Sequence, residues 1–105
     1  MAWISSGRLV NPAIDAVLLD TVALAAGTRT PHAIVTSTVS AQFELQWRDA
    51  ANAATLRSQM LSVVALDTVE VTFNQPIQMA LNERLRILAV GTIVGTVSVS
   101  MNYQV

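Results

Sequence analysis

The chain has 105 residues, 52% of them hydrophobic and only 12% charged, with a net charge of −1 and no cysteine. That is the size of one ordinary domain, and it excludes a disulfide framework and thiol chemistry. The basic residues are all arginines, strung from Arg8 to Arg86. They show no clustered patch of the kind nucleic-acid binding needs, and no apolar run approaches the roughly 18 residues of a membrane helix.

From the N-terminus, MAWISSGRLVNP has no basic region followed by an apolar core, so no secretory signal is expected. It places Trp3, Ile4, Leu9 and Val10 ahead of the first clear strand, with Gly7 and Pro12 as interruptions. A segment left in solvent has little use for a tryptophan. Residues 1–12 are therefore expected to form an extended arm, lying on the chain's own body or, preferably, on a neighbour. Residues 13–105 are expected to form a single β-sandwich domain.

Beyond the arm, short runs rich in Val, Ile and Thr recur between turn signals. They lie at Ala16–Leu19, Val22–Ala25, His32–Val39, Gln42–Arg48, Thr55–Val63, Thr68–Asn74, Pro76–Ala80, Leu85–Thr92 and Thr96–Val105. β-branched residues suit a pleated, half-buried surface, and this rhythm predicts an all-β fold. The expected architecture is an antiparallel β-sandwich, jelly-roll-like, of about eight strands.

Two hairpins can be drawn. With Asp49–Ala54 as a loop, Arg48 faces Thr55, Trp47 faces Leu56, Leu45 faces Ser58 and Phe43 faces Met60. The apolar side chains then share one face, and Glu44 lies diagonal to Arg57. A helix capped by Asp49 would place only Ala53, Leu56 and Met60 on a stripe, so the hairpin accounts for more residues. At the C-terminus, a loop of Ile93, Val94 and a left-handed Gly95 sets Gly91, Ala89, Ile87 and Leu85 against Val97, Val99, Met101 and Tyr103. The predicted core is Phe43, Leu45, Trp47, Leu56, Met60, Ile87, Val97, Val99 and Met101. The opposite face mixes Leu88 and Val90 with Ser98, Ser100, Asn102 and Gln104. It reads equally as a wet face or as a subunit interface carried by Leu88, Val90, Ser98 and Ser100.

No catalytic constellation, cofactor cradle or metal set emerges. His32 is the single histidine, a zinc site would have only carboxylates to complete it, and no nucleophile elbow or phosphate loop occurs. The carboxylates Glu44, Asp49 and Glu70 read as solubilising groups rather than a glycosidase pair. Aromatic residues are 5% of the chain, which counts against a stacking platform. A non-enzymatic protein is expected.

The run LNERLRILAVGTIVGTVSVSMNYQV, preceded by FELQWRDAANAATLRSQ, resembles the decoration, or cement, proteins of tailed bacteriophage heads. The likeness covers the chain from Gln42 onward, and the layout is similar to small trimeric jelly-roll domains. The resemblance implies a virion structural protein on the outer capsid surface, assembled in the host cytoplasm, that bridges major capsid protein subunits as a trimer. Composition agrees on association, because a chain of this mass exposes about 5,700 Å² when folded alone and few charges are available to hydrate it. The alternatives are a fibre-tip or carbohydrate-binding module, which should show exposed aromatics, and an enzyme, which should show polar groups converging on a cleft.

Overall fold

A computed structural model describes residues 3–73 and 75–103; Asn74 and Gln104, and the side chain of Trp3, lie outside the described residues. The chain is all β. Its strands are β1 (Trp3–Val10), β2 (Val17–Asp20), β3 (Gly27–Arg29), β4 (His32–Ser37), β5 (Ala41–Arg48), β6 (Thr55–Val63), β7 (Asp67–Thr72), β8 (Ile77–Met79), β9 (Arg84–Ala89) and β10 (Thr96–Asn102). Two antiparallel four-stranded sheets face each other, in the orders β1-β10-β4-β7 and β2-β9-β5-β6. A small β3-β8 ribbon contributes Ile77 and Met79 to the core. This is an antiparallel sandwich, as the alternating runs predict.

The core is made by alternation. Phe43 and Leu45 of β5, Leu85, Ile87 and Ala89 of β9, and Val97, Val99 and Met101 of β10 are all fully buried. Their neighbours in sequence point to the outer faces, because successive side chains on a strand alternate.

The hairpin around residues 49–54 is present, with one difference. Arg48 pairs with Thr55, but Trp47 pairs with Arg57, Leu45 with Gln59 and Phe43 with Leu61. Leu56 is an extra residue, a β-bulge, and beyond it every side chain of β6 is on the face opposite to the one expected. Leu61 and Val63 are therefore buried, while Leu56 and Met60 are each 48% exposed. The closing loop explains the bulge. Arg48 donates from Nη1 to Thr55 Oγ1, from Nε to Asn52 Oδ1 and from Nη2 to the Asn52 carbonyl oxygen. Asp49 Oδ1 accepts from the Ala53 and Ala54 amides. The Ala53 amide leads in holding the Asp49 carboxyl below its ordinary value. These bonds fix the loop end before the pleat begins. Arg57 lies over the Phe73 ring, 5.8 Å from its centroid, rather than beside Glu44.

The C-terminal pairing is also corrected. β9 and β10 belong to different sheets: β9 lies between β2 and β5, β10 between β1 and β4. Their apolar faces meet across the core instead of side by side. Gly95 is not left-handed. A Cβ there would stand 2.8 Å from Thr38 Oγ1 and 2.9 Å from Val39 Cγ2, so the residue is small because two turns touch. Residues 22–25, expected as a strand, form none; Val22 has φ of 55° and turns the chain away from β2.

These registers predict opposite behaviour for adjacent residues of β6. Leu61→Ala should cost about 2–5 kcal/mol in urea unfolding, as for other buried leucines. Met60→Ala should stay within about 0.5 kcal/mol, as exposed positions do. The register without the bulge would reverse the order.

Candidate functional site

The segment expected as an extended arm, on the chain's own body or on a neighbour, is strand β1, hydrogen-bonded along β10 from Trp3↔Asn102 to Val10↔Thr96. The register shifts between Ser5 and Arg8, where Gly7 takes φ of 68°. That bulge lets Ile4 and Leu9, an odd number of residues apart, both pack against the core. Ser6 Oγ accepts the Val99 amide and seals the gap. Gly7 thus serves the strand rather than ending it. Of the four expected contact residues, Ile4 and Leu9 are used internally and Val10 is 65% exposed; the side chain of Trp3 is not among those described.

The residues expected at one subunit interface are divided. Leu88, on β9, faces out from the second sheet yet is only 7% exposed, and Val90 follows just beyond that strand. Ser98 and Ser100 face out from the first sheet, on β10. Buried Val97, Val99, Ile87 and Ala89 separate the two pairs. One contact patch cannot hold all four.

The outer face of the first sheet is a field of small polar groups. Ser5 and Ser100 are paired across strands, Thr36 meets Thr68 at 3.1 Å, and His32 Nε2 lies 3.2 Å from Glu70 Oε2. His32 is thus a half-buried surface residue with a carboxylate from β7 beside it.

The outer face of the second sheet is different in chemistry. Its strands bring Asp20, Glu44, Gln46, Arg48, Arg84 and Arg86 together from three parts of the sequence. In register, Asp20 of β2, Arg86 of β9 and Gln46 of β5 form one row. Leu88 and Glu44 form the next row, and Arg84 and Arg48 the row on the other side. A relay runs along the face: Arg86 Nε donates to Gln46 Oε1 at 2.6 Å, and Gln46 Nε2 donates to Glu44 Oε1 at 2.8 Å. Gln46 is 8% exposed, which fixes both partners on a rigid support. Arg84 Nη1 donates to Asp20 Oδ2 at 3.2 Å, and the other Asp20 oxygen accepts the Val22 amide at 2.8 Å. The strained Val22 turn therefore aims the carboxylate at Arg84. Desolvation, then the charge of Arg48, lowers the Arg86 pKa from its usual value. Among the described residues no group of three or more His, Cys, Asp or Glu could hold a metal ion.

No protein-family model matches this sequence, and no curated protein matches it. Among solved structures the fold is similar to that of a CBM4 carbohydrate-binding module, with 11% identity and a TM-score of 0.59 over 97% of this chain and 70% of that one. It is also similar to PirA, with 15% identity and a TM-score of 0.51 over 95% and 93%. A looser likeness, at 15% identity and a TM-score of 0.47, covers 77% of this chain and 17% of the CBM22-1-GH10 modules of a Clostridium thermocellum xylanase complexed with xylohexaose. At these identities the likeness concerns the fold alone, a β-sandwich.

Sequence reasoning missed this face. Gln46 looked like an ordinary polar position in an alternating strand, and the arginines looked scattered, because convergence needs the β9–β5 pairing. The site predicts a measurable dependence on its central amide. Gln46→Ala should lower stability by about 1–3 kcal/mol in chemical unfolding, since it strips partners from one cation and one carboxylate. Gln46→Glu, which keeps the acceptor for Arg86 but loses the donor to Glu44, should recover only part of that.

Proposed function

We propose that this protein is a non-enzymatic binding module that takes a carbohydrate on the outer face of its second sheet. The observation that carries the reading is the relay of guanidinium, amide and carboxylate, Arg86–Gln46–Glu44, laid across adjacent strands on an open face. Planar groups of these kinds donate and accept in pairs, which suits the neighbouring hydroxyls of a sugar ring. Groups carried on paired strands hold that geometry without ordering a loop. The terminal nitrogens of Arg86 make no hydrogen bond to the described residues, so a ligand meets donors that are already aimed. Met60, paired with Glu44 and half exposed, offers an apolar edge for the C–H side of a ring. The sandwich of a CBM4 carbohydrate-binding module supports the reading as a precedent for the architecture.

Exposed aromatics, the usual expectation for such a module, are not part of this face. Phe43 and Phe73 are buried, and Trp47 packs against the core with its Nε1 donating to Glu83 Oε1 at 3.2 Å. Recognition would rest on polar contacts, and affinity for a single sugar unit should be modest. The capsid-decoration reading finds less to stand on. The arm it needs as a clamp is engaged in β1, and its four interface residues fall into two pairs on opposite sheets.

Affinity electrophoresis through gels containing a panel of plant and bacterial polysaccharides tests the proposal. At least one polysaccharide should retard the protein, and Arg86→Ala should weaken that binding about 10- to 100-fold, the worth of a charge-assisted hydrogen bond. Ser100→Ala, on the opposite sheet, should change nothing. Migration unaffected by every glycan, together with co-sedimentation on phage heads, would reverse the ranking of the two readings.

A further inference from the structure

Three of the chain's six arginines stand on the proposed binding face. Arg48 and Arg84 are direct cross-strand partners on β5 and β9, and Arg86 is the next residue on the same face as Arg84. Like charges set opposite each other destabilise a sheet unless something neutralises them. Asp20 does so for Arg84. Among the described residues, no carboxylate bonds directly to the other two. Arg48 donates only to the neutral groups of Asn52 and Thr55, and Arg86 donates only to the neutral oxygen of Gln46. Arg84 Nε is buried without an acceptor. Glu44, the remaining carboxylate, is one row away and accepts from Gln46.

The face is therefore polarised along the strands. One end carries Arg48, Arg84 and Arg86 against Asp20 on the face, with the Asp49 carboxylate acting on Arg48 from the adjoining loop; the other carries Glu44, Leu88 and Met60. Neutral hydroxyls would satisfy donors at the cationic end but leave its excess positive charge in place. A carboxylate does both, because its two oxygens match the fork of a guanidinium.

We propose that the ligand of this face is an acidic glycan, a polysaccharide of uronic acid units. The ring carboxylate lies against the terminal nitrogens of Arg86 at the Arg48–Arg84 end, and ring hydroxyls lie over Gln46 and Glu44. Glu44 accepts from hydroxyls and repels a carboxylate, so it sets the direction in which each unit lies. This assignment rests on the carbohydrate reading and specifies its substrate class.

The test measures binding of the full chain to sodium polygalacturonate and sodium alginate, each beside its fully esterified, uncharged form, with sodium acetate as a separate probe. At least one acid polymer should bind about tenfold or more tightly than its ester, and the preference should shrink as salt screens the charges. Arg86→Gln, checked for native circular dichroism, should bind the acid form no better than the ester. Equal binding of acid and ester would overturn the acidic assignment while leaving the carbohydrate reading in place. Failure of all four polymers to bind would overturn the acidic assignment, and the carbohydrate reading would fall with it only if the full polysaccharide panel also left the protein unretarded. Acetate competing as well, per carboxylate, as the polymer would overturn a glycan ligand in favour of a bare anion site.

Discussion

The register of β5 governs the molecule. This strand pairs with β6 on one side and β9 on the other, so both neighbours take their facing from it. Its alternation sends Phe43 and Leu45 into the core and Glu44, Gln46 and Arg48 outward. A slip of one residue would exchange the two sets, burying a carboxylate and a guanidinium in an apolar interior at a cost no domain of this size could absorb. The core and the polar face are two sides of one constraint. That is why the face can hold charged groups close together: the buried side fixes their spacing, and β9 brings Arg84 and Arg86 to them at full pairing distance.

What the sequence made legible follows from the range of each signal. Facing is local, because alternation repeats every two residues. The inward sets of β5, β9 and β10 are legible in it, whichever strands they pair with. Sheet membership is not local. Residues 85–103 carry every feature of a hairpin, and the connection through Ile93 to Gly95 is short, yet it crosses from one sheet to the other. The small size of Gly95 was visible; the close approach of Thr38 and Val39 that demands it was not.

Bulges leave weaker traces in a sequence than alternation does. Gly7 marks one, and with Ile4 and Leu9 at odd spacing on either side it could have been recognised as a bulge inside a strand. Leu56 carries no such mark. Its bulge comes from the way Arg48 and Asp49 tie down the loop, and one extra residue was enough to move Met60 out of the core and Leu61 into it. The candidate site was least legible of all. Its residues come from β2, β5 and β9, far apart in the chain, and each alone looks like a solvated position.

The central claim is that the outer face of the second sheet, and not that of the first, meets the ligand. Amide chemical-shift mapping of isotope-labelled protein titrated with an acidic oligosaccharide tests it most directly. The account predicts perturbations concentrated on residues 42–48 and 84–90, with the side-chain signals of Gln46 and Arg86 among the largest, and little change along β10 and β4. Shifts centred instead on Ser98, Ser100 and Thr36 would contradict it, and would move the binding face to the other side of the sandwich.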